Sequence, residues 1–215
     1  MENLIKEINK FRNYANKNKS NYGEWEMYYN NWDNIYTSFI NVLKNEEPTK
    51  KYVYDMIYII ARDNECEYII EELTEYKYWF ELLCKYSLKT NEYNAKWQFA
   101  HYLSEYVEKY NCNEFAKESI IKFLEDKNEY VSRRALLVLH KILPEKIENY
   151  ANIFWYSNIN NELKQYQIMA ILEALYNIKS PIIFEYIEKA KKIDIENKDY
   201  LIKYITKIEN KLINY

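Results

Sequence analysis

The chain has 215 residues and a net charge of −3, from 30 Lys and Arg against 33 Asp and Glu, which argues against a protein that grips phosphate backbones through a dominant basic face. Hydrophobic residues make up 48% with only one Gly and three Pro, a balance that favours packed helices over sheets or extended disorder. Cys66, Cys84 and Cys112 lie far apart without a CxxC pair, so neither a disulfide framework nor a zinc site is expected.

The predicted elements follow in order. Leu4, Ile8, Phe11 and Ala15 form one stripe, predicting an amphipathic helix over residues 2–18. NKNKSNYG, ending at Gly23, reads as a loop. From Glu24 to Lys44 the residues Trp25, Tyr28, Tyr29, Trp32, Ile35, Tyr36, Phe39, Ile40 and Leu43 predict one long helix buried on more than one side. Pro48 opens the next helix, where its missing N–H costs nothing, with Val53, Met56, Ile57 and Ile60 inside. Asn64 with Glu67 has the spacing of a capping box ahead of Ile69, Ile70 and Leu73. Trp79, Phe80, Leu82, Leu83 and Tyr86 follow, and then Asn91 as a cap for a helix with Ala95, Phe99, Leu103 and Val107 inside.

Ala116, Ile120, Phe123 and Leu124 mark a helix over residues 113–125. In DKNEYVSRRALLVLHKIL, residues 126–143, Val131, Ala135, Val138, Leu139 and Ile142 form the apolar face opposite Arg133 and Lys141. Pro144 starts a helix with Ile147, Tyr150, Ile153 and Phe154. Residues 162–178 place Leu163, Tyr166, Met169, Leu172 and Leu175 on an apolar stripe. Ser180–Pro181 is a helix start, and a last helix from about Asn197 carries Leu201, Ile205, Ile208 and Leu212. The sum is about a dozen helices, an all-α chain.

Ala95, Val131 and Gln167 are spaced by 36 residues, and so are Phe99, Ala135 and Ile171, and Leu103, Leu139 and Leu175. A constant step of this size is the mark of stacked helical hairpins. DKNEYVSRRALLVL resembles the second half of a HEAT repeat through Asp126, Val131 and Ala135. It departs from the pattern at Ser132, which stands where the usual arginine would be, ahead of Arg133 and Arg134. The resemblance covers roughly residues 74–212, with looser hairpins before it, and implies a right-handed α-α superhelix of HEAT-like hairpin repeats, residues 1–215 forming one array. Residues 1–45 are then N-terminal capping helices and 46–215 the repeats, an armadillo-like scaffold rather than a particular chemistry.

In such an array the second helix of each hairpin faces the concave side. Two rows would line it: Trp97, Arg133 and Met169, and His101, Leu137 and Glu173. An apolar strip with Arg133, Arg134 and His101 as polar contacts suits a partner protein or peptide. The plain alternative is that neighbouring second helices pack through these side chains, with Arg133 and Arg134 paired to Glu129 or Glu162. No nucleophile, acid–base pair or metal-ligand spacing emerges, and His101 and His140 have no carboxylate or thiol at ligand spacing, so no catalysis, cofactor or metal is expected. The acidic residues Asp63, Glu65, Glu67, Glu71, Glu72, Glu75 and Glu81 would attract a basic partner, or simply form a solvated face.

The charged N-terminus and the lack of any apolar run near ~18 residues predict a cytoplasmic protein without leader or membrane span. The abundance of Ile, Lys, Asn and Tyr fits an AT-rich bacterial genome as well as it fits a tyrosine-lined surface. The functional expectation is a non-enzymatic protein-binding scaffold, in one specific form an immunity or antitoxin-type inhibitor of a basic toxin. The competing expectation is a nucleic-acid-binding fold like that of alkylpurine DNA glycosylases, against which the net negative charge argues.

Overall fold

The computed structural model describes residues 1–18, 25–111, 114–195 and 198–213. Among these residues there are twelve α-helices, four short 3-10 segments and no strand. The chain divides into two units, Met1–Asn111 and Cys112–Tyr215, each with its own core.

The first unit holds α1 (Glu2–Asn18), α2 (Trp32–Asn45), α3 (Val53–Arg62), α4 (Tyr68–Leu73), α5 (Lys77–Ser87) and α6 (Tyr93–Tyr110). Helix α1 buries the stripe its spacing predicts, Leu4, Ile8, Phe11 and Ala15, against α2 and α3. The single helix predicted from Glu24 does not form. Glu24 and most of the preceding loop lie outside the described residues, and Trp25–Tyr28 is a 3-10 turn separated from α2. Side chains explain the break. Trp32 Nε1 donates to the Glu26 carbonyl at 2.8 Å and the Tyr14 hydroxyl to the Trp25 carbonyl at 2.9 Å, occupying acceptors that a continuous helix would use. Phe11 then packs on the rings of Tyr29 and Trp32 at 5.0 and 5.1 Å.

Thr49, after Pro48, accepts from the Lys51 N–H at 3.4 Å and opens the 3-10 turn Lys50–Tyr52 that runs into α3. Helix α6 packs on α3, α4 and α5. The Gln98 amide donates to the carbonyls of Ile60 and Asn94, each at 2.9 Å, pinning α6 to α3. Phe80 stacks on Tyr106 at 4.9 Å and meets Phe99 edge-on at 5.4 Å. The capping box read at Asn64 and Glu67 is not there. Glu67 adopts φ 55°, and the cap of α4 is Asp63, whose carboxylate accepts from the Ile69 N–H at 2.7 Å. The left-handed turn at Glu67 carries Asn64 away, and its amide donates to Glu65 instead.

The second unit holds α7 (Glu114–Leu124), α8 (Glu129–Val138), α9 (Ile147–Tyr156), α10 (Asn161–Asn177), α11 (Ile183–Lys192) and α12 (Asp199–Ile213). They pair as α7 with α8, α9 with α10 and α11 with α12, and α10 also packs on both α8 and α12. Asn128 caps α8 by accepting from the Val131 N–H, and Asn160 caps α10 by accepting from the Glu162 N–H. Ser180 accepts from the Ile182 N–H as its place before Pro181 predicts. Asn197, read as the start of the last helix, lies outside the described residues.

The stripe read on α10 is rotated. Leu163 and Tyr166 are exposed and Met169 is half-exposed, while Lys164, Gln165 and Gln167 are buried beside Ile168, Ile171, Leu172 and Leu175. A helix flanked on several sides must bury polar residues, and this one supplies partners for two of them. Lys164 Nζ donates to the carbonyls of Trp155 at 2.6 Å and of Phe154 and Ser157 at 3.3 Å, and to Gln167 Oε1 at 3.2 Å. Its ammonium thereby closes the C-terminus of α9, where free carbonyls and the helix dipole favour a cation. Beside this corner the indole of Trp155 meets the Tyr186 ring edge-on at 5.3 Å. The nine positions of the 36-residue register, from Ala95 to Leu175, are all buried.

Candidate functional site

On α8, Tyr130, Arg133, Arg134 and Leu137 recur at the spacing of one helix face, and on α10 so do Tyr166, Met169 and Glu173. These two stripes face each other. The Arg133 guanidinium lies 4.9 Å from the Tyr130 ring centroid on its own helix and 5.5 Å from that of Tyr166 on α10. Its Nε also donates to Glu129 at 2.7 Å, so the expected pairing with Glu129 forms while Glu162 stays exposed. The Arg134 guanidinium lies 5.9 Å from the same Tyr130 ring centroid. Tyr130 and Tyr166 are 39% and 38% exposed, whereas Arg133, Leu137 and Met169 are only partly so.

Glu173 sits farther along α10 and is committed elsewhere. It accepts from the Tyr204 hydroxyl of α12, and burial together with this carboxylate pushes the Tyr204 phenol well above its usual range. The Leu137 carbonyl lies 3.0 Å from His140 Nδ1, which ties that ring to the backbone.

Trp97 and His101 belong to the first unit. Trp97 is 6% exposed, and every residue from Ala95 to Ala100 is buried. Helix α6 has no wet face at this level, so Trp97 does not line an open groove as the row predicts. His101 packs edge-on against Tyr102 at 5.3 Å.

Tyr130 and Tyr166 are the members of the face that sequence reasoning passed over. The information was present: they are 36 residues apart and stand three places before Arg133 and Met169 in the same register. Tyr166 also falls on the expected apolar stripe of α10, because periodicity alone does not separate a rim tyrosine from a buried one.

The acidic run does not form one solvated face. Asp63 is buried, Glu81 takes the Tyr106 hydroxyl and Glu75, itself exposed, pairs with Lys109, while Glu65 and Glu71 are exposed. Glu67, Glu71 and Glu105 surround the Tyr102 phenol, and burial first and these charges second raise its pKa. In the second unit a groove of about 580 Å³ runs beside α7 and α9. Ile121, Leu143 and Tyr150 make its floor and Lys122, Lys146, Glu118 and Glu125 its mixed rim. Among the described residues no group of three or more His, Cys, Asp or Glu is arranged to hold a metal ion, and no helix is long and apolar enough to cross a membrane.

Comparison with protein-family models, characterised proteins and solved structures finds no match. The α8–α10 face offers cationic and aromatic surface.

Proposed function

We propose that this chain is a non-enzymatic, protein-binding scaffold of HEAT-like helical hairpins, and that α8 and α10 form its partner face. The observation that carries the reading is Arg133 held between the exposed rings of Tyr130 and Tyr166. Tyr and Arg are the side chains that most often anchor interfaces, and Leu137 and Met169 add apolar area alongside. Because Glu129 and the two rings already fix Arg133, little side-chain entropy is lost when a partner covers it. The succession of hairpins from α7 to α12, with α10 between α8 and α12, supports the solenoid reading, in which this layer is the concave one.

The partner in this reading is a protein or peptide with a basic surface, met in the cytoplasm of a bacterium. The net charge of −3 and the exposed Glu65 and Glu71 support it by steering a cation-rich surface toward the chain. An immunity or antitoxin-type inhibitor of a basic toxin is its specific form.

The test is to cross-link the full chain in its native cell extract, identify the bound protein by mass spectrometry, and titrate the purified pair. Tyr130→Ala with Tyr166→Ala should weaken binding about thirtyfold or more, the loss typical of anchor side chains, while the chain stays folded with a lowered melting temperature, since both rings are part-covered and hold Arg133. Unchanged affinity removes this face from the reading. Association with duplex or single-stranded DNA that falls steeply with salt would favour the nucleic-acid alternative instead.

A further inference from the structure

The junction between α3 and α4 contains a carboxylate in an unusual setting. Asp63 is 2% exposed, and its two oxygens accept from the Tyr36 hydroxyl of α2 and the Ile69 N–H of α4, each at 2.7 Å. It therefore ties together three helices. Among the described residues no Lys or Arg forms an ion pair with it. The adjacent Arg62 directs its guanidinium to Glu92 of α6 at 2.8 Å and over the Tyr58 ring at 4.7 Å. The charge that acts on Asp63 is itself acidic, Glu67 in the turn, and Asp33 lines the neighbouring cavity with Tyr36, Cys66 and Tyr68. From α6 the junction is faced by the Tyr102 phenol, close to Glu67. A buried, ionised carboxylate without a cation is costly, and hydrogen bonds from one phenol and the backbone recover only part of that cost. The turn that places it is strained as well, since Glu67 holds φ 55° without being glycine.

We infer that the α3–α4 junction is a pH-sensitive latch, closed firmly when Asp63 is protonated and opening more readily when Asp63 is ionised. The opening unit is the turn of residues 64–68 with the first amides of α4. The sign follows from linkage. Burial raises the Asp63 carboxyl to about 6, against an ordinary value near 3.8 when the junction is open. The closed state then binds the proton more tightly. Its extra stability is complete below the ordinary value and is lost as pH rises through about 6. The latch does not depend on the partner face of α8 and α10.

The experiment is amide hydrogen exchange on the full chain from pH 5 to 7.5, corrected for the intrinsic chemical rate. The opening constant at the Ile69 amide should rise about tenfold over that range, while that of the Ala135 amide in the second unit stays level. In Asp63→Asn, which keeps an oxygen for the Ile69 N–H, the rise should vanish. Tyr36→Phe, which removes a bond that favours the ionised form, should move the transition to higher pH. A flat profile at Ile69, or the same rise in Asp63→Asn, overturns the latch. If Asp63→Asn does not fold, carboxyl-carbon NMR of the unsubstituted protein decides. A midpoint near 6 supports the latch, and one near 4 refutes it.

Discussion

At the scale of single residues, some buried charges are set against oxygens rather than against an opposite charge. Lys164 is the clearest case. Burial pulls its pKa below the usual lysine value, yet the four oxygens around Nζ hold the charged form in place. Replacing it by Met keeps the aliphatic stem and leaves the Trp155 and Ser157 carbonyls without the Nζ donor, while the Phe154 carbonyl keeps the Ser157 N–H and hydroxyl. The expected loss of stability is about 2 to 3 kcal/mol, the range for charge-assisted hydrogen bonds, read by chemical denaturation. Substituting the exposed Leu163 by Ala in the same experiment should change stability by no more than about 0.5 kcal/mol. Residues of this kind were the least legible ones. Lys164 in sequence is one more lysine on a helix, whereas Arg133 and Glu129 announce themselves through their i, i+4 spacing.

At the scale of elements, the helices were legible wherever local rules decide them. Ser180 stands before Pro181 where a cap is needed, and the stripe of α1 can be read off four residues. The break before α2 could not be read in this way, because the groups that take the Trp25 and Glu26 carbonyls come from Tyr14, on another helix, and from the indole of Trp32. Helix ends show the same limit. With a single glycine in the chain, left-handed positions fall to other residues, among them Lys179 at φ 55° after α10. There the Ser180 N–H returns to the Leu175 carbonyl at 3.0 Å and the Lys179 N–H to that of Tyr176 at 2.9 Å, a closure that normally uses glycine. Lys179→Gly relieves roughly 1 kcal/mol of backbone strain, partly offset by the greater entropy of the unfolded chain. A small rise in melting temperature is the expected outcome, whereas Lys179→Val, β-branched, should lower it.

At the scale of the molecule, each unit has the makings of an independent fold. The first has Ile57, Ile60, Phe80, Phe99 and Tyr106 at its centre, and the second has Leu136, Leu139, Ile171 and Leu172. Residues 1–111 and 112–215 produced as separate polypeptides should each show helical circular dichroism and a cooperative melt; a fragment that is unstructured on its own would contradict this. Phe80→Ala in the first fragment should cost about 3 to 5 kcal/mol, because the cavity it leaves lies between Tyr106 and Phe99. The all-α class and the buried register were legible in the sequence, since burial repeats with the helical period. The division at Asn111 was not, because nothing in composition or turn residues distinguishes that connection from the others.

The corner where α9 meets α10 also has an optical consequence. Of the five tryptophans, Trp25, Trp32, Trp79 and Trp97 precede the division and Trp155 alone follows it. Its indole lies against Tyr186 and its carbonyl holds the Lys164 ammonium. Excited at the red edge of indole absorption, the second unit emits from one part-buried residue whose backbone carbonyl holds the Lys164 ammonium. The wavelength and quencher access of that emission report the state of the corner without any added label.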